Sequence, residues 1–402
     1  MRTAIVGGGA AGFFLAINLK EMMPETEVTI FEKSSRVLAK VEISGGGRCN
    51  CTNSFETVKD LSAVYPRGYR LMKRLFNVFD FQDAYDWFER HGVELTAQED
   101  HCVFPISQDS HTIINCFLRE ARRHQIEIRT GRKISSLKEL EGFDYIAVTT
   151  GGSPKGEGLK WLQDGGHEIS DPVPSLFTFN IGDKALRKLM GTVVEDATAL
   201  IPGTKFRARG PLLITHWGVS GPAILKLSSY AARYLHENSY QCPLSINWTS
   251  RNDSEIRDEL QGIALENPQK LLHSIRPFTL PQRLWEYLLE KSSGRQNSRK
   301  WGDLNQKENN RLVNLLCNNS YQIAGRASFK DEFVTCGGIS LSCLHASTLE
   351  SRSVPRLYFA GEVLDIDGIT GGFNFQAAWT TAYTVAKAIH TDFHQQQDNH
   401  DN

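Results

Sequence analysis

Nowhere do apolar residues run for the roughly 20 positions that a bilayer-spanning helix requires, so no membrane span is expected. Neither sign of charge is in excess, with Lys and Arg at 45 against 46 for Asp and Glu. That balance argues against a polybasic nucleic-acid binder, although a local basic patch is invisible to a global sum. Cysteine is sparse, at eight residues in 402, and no Cys-x-x-Cys occurs. Cys49 and Cys51 are separated by one residue, and Cys336 and Cys343 lie too far apart for a tight local motif. A disulfide framework, a dithiol redox pair and a zinc doublet are therefore not expected, and the sequence offers no metal site. The apolar stretch after Met1-Arg2 is broken by Gly7-Gly8-Gly9. It reads as a strand entering a turn rather than an export signal, and a cytoplasmic protein is expected.

What is present is an alternation of short strands and helices. Thr3–Val6 reads as an apolar strand, Ala10–Lys20 as a helix, and Val28–Phe31 as a second strand ending at Glu32. This βαβ opening implies a parallel sheet covered by helices. Ser44–Asn50 reads as a glycine-rich loop, residues 68–92 as paired amphipathic helices, Ser110–His124 as another helix and Tyr145–Thr149 as a buried strand. From Phe177 short strands such as Val193-Val194 and Leu212–Ile214 alternate with turns, and β-like texture returns at Glu332–Thr335. Leu357–Phe359 is a last strand, a long helix begins near Asn374, and the tail from His394 is expected to be disordered. The expected plan is a nucleotide-binding domain at 1–176 and 336–402. Inserted into it is a β-rich domain at 177–251 and 320–335, which itself carries a helical insertion at 252–319.

Gly7, Gly9 and Gly12 fit G-x-G-x-x-G between a strand and a helix. Glycines there allow a tight turn and let backbone N–H groups approach a pyrophosphate at the positive helix end. Glu32 ends the second strand, where a carboxylate can accept from a ribose hydroxyl. At the far end, Leu357–Glu362 is a strand and turn, and Gly371-Gly372-Phe373-Asn374-Phe375-Gln376 opens a helix. A second helix N-terminus aimed at the cofactor suits the flavin edge that gains charge on reduction, favouring FAD over NAD. Asp365 or Asp367 could meet a ribityl hydroxyl or a phosphate-bound water.

The sequence resembles the aminoacetone-oxidase-like family of FAD-binding flavoproteins. The resemblance rests on Ile43–Asn50 with Thr52-Asn53, Val103–Pro105, Thr149–Gly152, Thr215–Ala223, Gly361–Gly368 and Gly371–Trp379. It implies an α/β, Rossmann-like FAD-binding domain with an inserted β-barrel-like unit and a helical insertion. It further implies that Gly7, Gly9, Ala10, Ala11, Gly12, Glu32 and Lys33 hold the ADP half, and that Lys40, Ser44, Gly46, Arg48 and Asn50 line the pyrophosphate or flavin. Gly151 is expected near the adenosine ribose, with Gly361, Asp365, Phe373, Asn374 and Phe375 facing the ribityl chain and flavin. The sequence departs from the family at Thr149, where alanine is commoner, and at Cys51, where an aliphatic residue is usual. Gly156–Gly165 looks shortened.

His216 and Cys49 are the candidate proton donors. With no second G-x-G-x-x-G, any NADH or NADPH is expected to dock transiently as reductant. The resemblance offers three activities: amine oxidation with oxygen as acceptor, reduction of an enone, and reduction of a uridine ring in ribosomal RNA. A reductase ranks first, and a flavin sensor without turnover is a fourth reading. An RNA substrate would call on basic clusters at Arg67, Arg70, Lys73 and Arg74 on an expected helix, and at Lys205, Arg207 and Arg209, whose alternation would share one face of a strand; each also reads as a solvated face.

Overall fold

A computed structural model describes residues 1–293, 299–327 and 334–400. The chain divides into two compact units, Met1–Pro174 with Lys330–Asn402, and Ser175–Phe329.

The first unit opens with strand β1 (Arg2–Val6), helix α1 (Ala10–Met22), strand β2 (Glu27–Phe31) and helix α2 (Ala39–Gly47). Its five-stranded sheet runs Leu357–Phe359, Tyr145–Val148, β1, β2, Glu127–Arg129, and every pairing is parallel. Strands covered on both faces read as unbroken apolar runs, and four of the five residues of β1 and of β2 are buried. Leu357 pairs with Ile146, so the last strand completes the sheet begun by the first 150 residues. α1 is apolar nearly all round, as a helix enclosed on every side must be, and Phe13–Ile17 are fully buried. The C-terminal helix Phe373–His400 packs against it, with Phe14 and Trp379 ring centroids 5.1 Å apart. Among the described residues no helix is long and apolar enough to cross a membrane.

One local expectation needs correction. The tail from His394 is not irregular, because the C-terminal helix continues through His400; residues 401 and 402 lie outside the described residues. The glycine-rich loop begins inside what hydrogen bonding marks as α2, but Ser44, Gly45 and Gly46 there have non-helical backbone angles.

The second unit is a closed six-stranded barrel in the order Val193–Leu200, Arg207–Ile214, Gly218–Ser220, Phe179–Ile181, Asn319–Arg326, Gln241–Asn247. The strands foreseen at Val193-Val194 and Leu212–Ile214 each run to eight residues, because charged residues on the outward face hide their length. Gln241–Asn247 pairs directly with Asn319–Arg326, and the helices Asp253–Glu266, Gln282–Ser293 and Gln306–Cys317 lie between them in sequence. Two of these helices start with reciprocal caps, Asn252 with Glu255 and Asn305 with Glu308. Trp285 stacks on Trp301 at 6.0 Å as part of their core. Val334 and Thr335, read with the returning β-rich segment, begin the strand Val334–Ile339. That strand pairs with Ile169–Ser175 as part of the first unit. Glu332 and Phe333 lie outside the described residues.

Candidate functional site

The three glycines of the first turn do three different things. Gly7 has φ +122°, and a Cβ there would lie 2.4 Å from the Thr149 carbonyl oxygen. A Cβ on Gly12 would lie 2.0 Å from the Gly7 carbonyl oxygen, so Gly12 lets α1 seat against the strand end. A Cβ on Gly9 would meet nothing within 4 Å, leaving a backbone face that a ligand can approach. Gly9 is also the N-cap of α1 and provides no side-chain cap. The first N–H groups of the helix, at Ala10, Ala11 and Gly12, therefore remain for an anion at the positive end of the dipole.

Glu32, at the end of β2, braces this turn. Its Oε2 accepts from Gly8 N–H at 2.9 Å and its Oε1 from Ser34 N–H and hydroxyl, both at 2.8 Å. A carboxylate has about four acceptor positions, so capacity remains for a ribose hydroxyl. Lys33 beside it is exposed. Lys40, on α2, pairs with Glu362 at 2.6 Å, and Glu362 Oε1 accepts from Thr335 N–H at 2.9 Å. Gly151 has φ +72°, and a Cβ on it would stand 3.7 Å from Glu362. Gly361 has φ +78° and comes so close to α1 that a Cβ would lie 2.8 Å from that of Ala11. Asp365 is tied through its backbone N–H to the Ile339 carbonyl at 3.0 Å.

Gly45, Gly46 and Gly47 follow one another in left-handed backbone, an arrangement that exposes successive N–H groups. Ser44 Oγ donates to the Val41 carbonyl at 2.8 Å. Arg48 lies 4.2 Å over the Phe104 ring and donates to the Gly45 carbonyl and to Gln108, each at 3.2 Å. The Asn50 amide, oriented to satisfy both neighbours, donates to the Thr52 carbonyl at 3.0 Å and accepts from Gly372 N–H at 3.1 Å.

This loop is tied to the start of the C-terminal helix. Thr52 donates to Gln376 at 2.6 Å, Asn53 to the Gly371 carbonyl at 3.0 Å, and Trp379 to the Cys51 carbonyl at 2.7 Å. A Cβ on Gly372 would fall 2.0 Å from the Thr52 carbonyl oxygen. The first bond back into the helix runs from Gln376 N–H to Gly372. The N–H groups of Phe373, Asn374 and Phe375 therefore precede the intrahelical ladder. The Asn374 amide clamps Gly368 through both its N–H (2.8 Å) and its carbonyl (2.9 Å). Asp367 is wholly buried in a bidentate ion pair with Arg67.

Thr52, Asn53 and Gln376 had no role assigned from sequence, although all three stand in the resembling blocks. Each is at most 4% exposed, which the sequence does not show, so their place in those blocks was the one signal for them. The candidate proton donors fall in different units. Cys49, in the first, is fully buried with φ +60°, and burial, partly offset by a hydrogen bond from Ser44, pushes its thiol up to about 12. His216, in the second, is exposed at the tip of a tight turn closed by Thr215 N–H to the Gly218 carbonyl (2.8 Å). Its ring sits against Trp217 at 4.3 Å.

The cradle of the first unit fits a dinucleotide. Besides the open face of Gly9, Thr335 Oγ1 is buried without a hydrogen-bond partner among the described residues, 2.3 Å from where a Cβ on Gly152 would lie. A small backbone and an unsatisfied hydroxyl beside Glu362 and Lys40 are what a polar ligand would fill. Among the described residues no cluster of side chains could hold a metal ion.

Comparison with known proteins agrees with that fit. The profile described as HI0933-like protein Rossmann domain matches residues 1–388. The 3-dehydro-bile acid delta(4,6)-reductase of Clostridium scindens is 26% identical, over 96% of this chain and 98% of that protein. The ribosomal RNA dihydrouridine synthase of Haemophilus influenzae is 26% identical, over 96% of this chain and 97% of that protein. The protein of the same name from Escherichia coli is 27% identical, with the same two coverages.

Proposed function

The chain belongs to the HI0933-like protein Rossmann domain family and is an FAD-dependent oxidoreductase. On that premise we propose that it reduces a carbon–carbon double bond conjugated to a carbonyl, with NADH or NADPH as electron donor. One observation carries the reading. Relatives matched over nearly their whole length bear names for two unrelated substrates, yet both names describe adding hydrogen across such a bond. FAD, when bound, supplies the hydride through its N5 position.

The chain's own residues would bind and orient. The α1 N-terminus with Gly7, Gly9, Ala10, Ala11 and Gly12 would take the pyrophosphate, and Glu32 with Lys33 the ADP ribose. Lys40, Ser44, Gly46, Arg48, Asn50, Gly151, Gly361 and Asp365 would surround the rest. The N–H groups of Phe373, Asn374 and Phe375 would turn a positive helix end toward the edge that becomes anionic. For the proton we assign His216 ahead of Cys49, because its imidazole is exposed whereas the Cys49 thiol has no accessible surface.

The test is an anaerobic absorbance titration of the holoprotein with NADH and then NADPH. Flavin bands that bleach, and that return when an enone or a uridine-containing RNA is added, support the reading. Bands that resist both nucleotides but bleach with an aminoketone, giving peroxide in air, would replace it with an oxidase. Bands inert to every donor would leave a sensor.

A further inference from the structure

Strands Val193–Leu200 and Arg207–Ile214 of the barrel, with the helix Pro222–Tyr230 packed on them, frame a concavity of about 390 Å3. Thr198, Arg207, Arg209, Lys226, Tyr230 and Ser250 line it. The strand alternation explains the charge. Ala208 turns into the barrel at 6% exposure, so Arg207 and Arg209 both turn outward, and Thr198 stands opposite Arg209 in the ladder. Lys226 and Tyr230 are four residues apart on their helix and so share the face that closes the concavity.

The cations there are not all used by the fold. Arg209 is held by Asp196 in a bidentate pair at 2.6 and 2.5 Å, which neutralises that carboxylate. Arg207 and Lys226 have no carboxylate partner among the described residues, and they face one concavity that also holds the Thr198 and Ser250 hydroxyls, 2.9 Å apart. Two uncompensated cations on a shared recess repel each other until an anion joins them. A guanidinium and an ammonium on a concave wall match the several acceptor oxygens of a phosphate better than the two of a carboxylate. Lys205, exposed in the turn that leads into Arg207, adds a further cation beside the recess.

We infer that this concavity is a binding site for a phosphate ester, made of residues separate from the dinucleotide cradle. Its anchors are Arg207 and Lys226. Tyr230 supplies an aromatic wall, and the Arg209–Asp196 pair holds one side rigid. The phosphate ester is either the phosphodiester backbone of an RNA or the 2′-phosphate of NADPH. The inference rests on the reductase reading only for what the bound group delivers. The binding itself is measured apart from turnover.

The experiment compares the wild-type holoprotein with Arg207→Gln/Lys226→Gln and with the charge-conserving Arg207→Lys. Fluorescence anisotropy follows a labelled, uridine-rich single-stranded RNA at several salt concentrations, and the KM for NADPH is set against that for NADH. If the site takes an RNA backbone, the double variant binds roughly tenfold or more weakly. Its salt slope then falls by about 1.4, at about 0.7 for each phosphate no longer neutralised. If the site takes the 2′-phosphate, RNA binding is unchanged and the KM for NADPH rises roughly tenfold while that for NADH does not, as befits a lost charge-assisted contact. Either result supports the site, and Arg207→Lys should retain most of the binding in both. A double variant with an unchanged flavin spectrum and melting temperature that alters neither quantity overturns the inference. Bleaching of the wild-type flavin by NAD(P)H, recorded separately, shows whether it is instead the reductase reading that has failed.

Discussion

Arg67 and Asp367 meet in a bidentate ion pair across 300 positions of sequence, with Asp367 wholly buried and the Arg67 side chain 17% exposed. Burial would lower the guanidinium, but the hydrogen bond and charge of Asp367 outweigh it and hold Arg67 raised. The pair joins the segment before the helix Tyr69–Leu75 to the turn before the C-terminal helix, and the two residues also bridge through their backbones. Arg67 is thereby removed from the basic cluster that the sequence suggested, leaving Arg70, Lys73 and Arg74 exposed.

Breaking that pair on one side strands a buried charge. Arg67→Ala should cost about 3–5 kcal/mol, as uncompensated buried ions do, whereas Arg67→Met combined with Asp367→Leu should come out near neutral. Urea denaturation of both variants and of Asp367→Asn checks this. Additive losses in the double variant would mean that the two residues act independently.

The glycines of the first turn should separate folding from cofactor binding. Gly12→Ala drives a methyl into the Gly7 carbonyl oxygen and should cost about 1–3 kcal/mol by overpacking. Gly9→Ala has open space and an ordinary backbone conformation with φ −96°, so the apoprotein should melt as the wild type does. Its methyl instead occupies the approach to the α1 N-terminus, and FAD retained on purification should fall. Thermal melts of the apoproteins, set against flavin absorbance per chain, read the two effects apart.

How far this site was legible follows from the range over which each signal acts. The strand–glycine–helix opening is local, and apolar runs with the G-x-G-x-x-G spacing exposed it. The parallel sheet followed from the βαβ order. The long strands of the barrel were half hidden: Arg207 and Arg209 alternate as one face of a strand, but Gly210 and Pro211 separate them from the apolar run Leu212–Ile214. The ties that shape the cradle, Thr52 to Gln376 and Lys40 to Glu362, span more than 300 positions and leave no periodic trace. A charge on a helix flank looks solvated until its buried partner is known, which is why Arg67 was misread.

A histidine in the first unit should give folding a pH dependence of definite sign. His91 is hydrogen-bonded to Glu21 at 2.8 Å and to the Trp87 carbonyl at 2.6 Å. Burial lowers its affinity for a proton, but those partners outweigh burial and leave it raised. A folded-state value above the unfolded one adds stability that is complete below the unfolded value of about 6.5 and is lost as pH rises through the folded value. The melting temperature of the wild type should therefore fall more steeply than that of His91→Gln from mildly acidic to mildly alkaline pH. Parallel curves would show that the imidazolium contributes nothing. The comparison rests on slope, because losing the stack of His91 on Trp87 lowers the variant at every pH.

The proton donor can be located by dividing turnover into its halves. Electron uptake from NAD(P)H needs no proton delivered to the substrate, whereas saturating a double bond does. If His216 makes that delivery, His216→Asn should slow substrate-driven return of the flavin absorbance by about 10²–10⁴-fold, the usual worth of a positioned acid. Stopped-flow traces of the two half-reactions measure this directly. An exposed turn residue tolerates the change in the fold, so a slow second half cannot be put down to unfolding if the melt is unaltered. If the loss falls instead on the first half, His216 serves nucleotide docking and the donor is another group. Cys49 meets one requirement for that role, since a thiol pushed up to about 12 is still protonated at neutral pH. What it lacks is surface: a wholly buried thiol would have to be uncovered before it could reach a substrate.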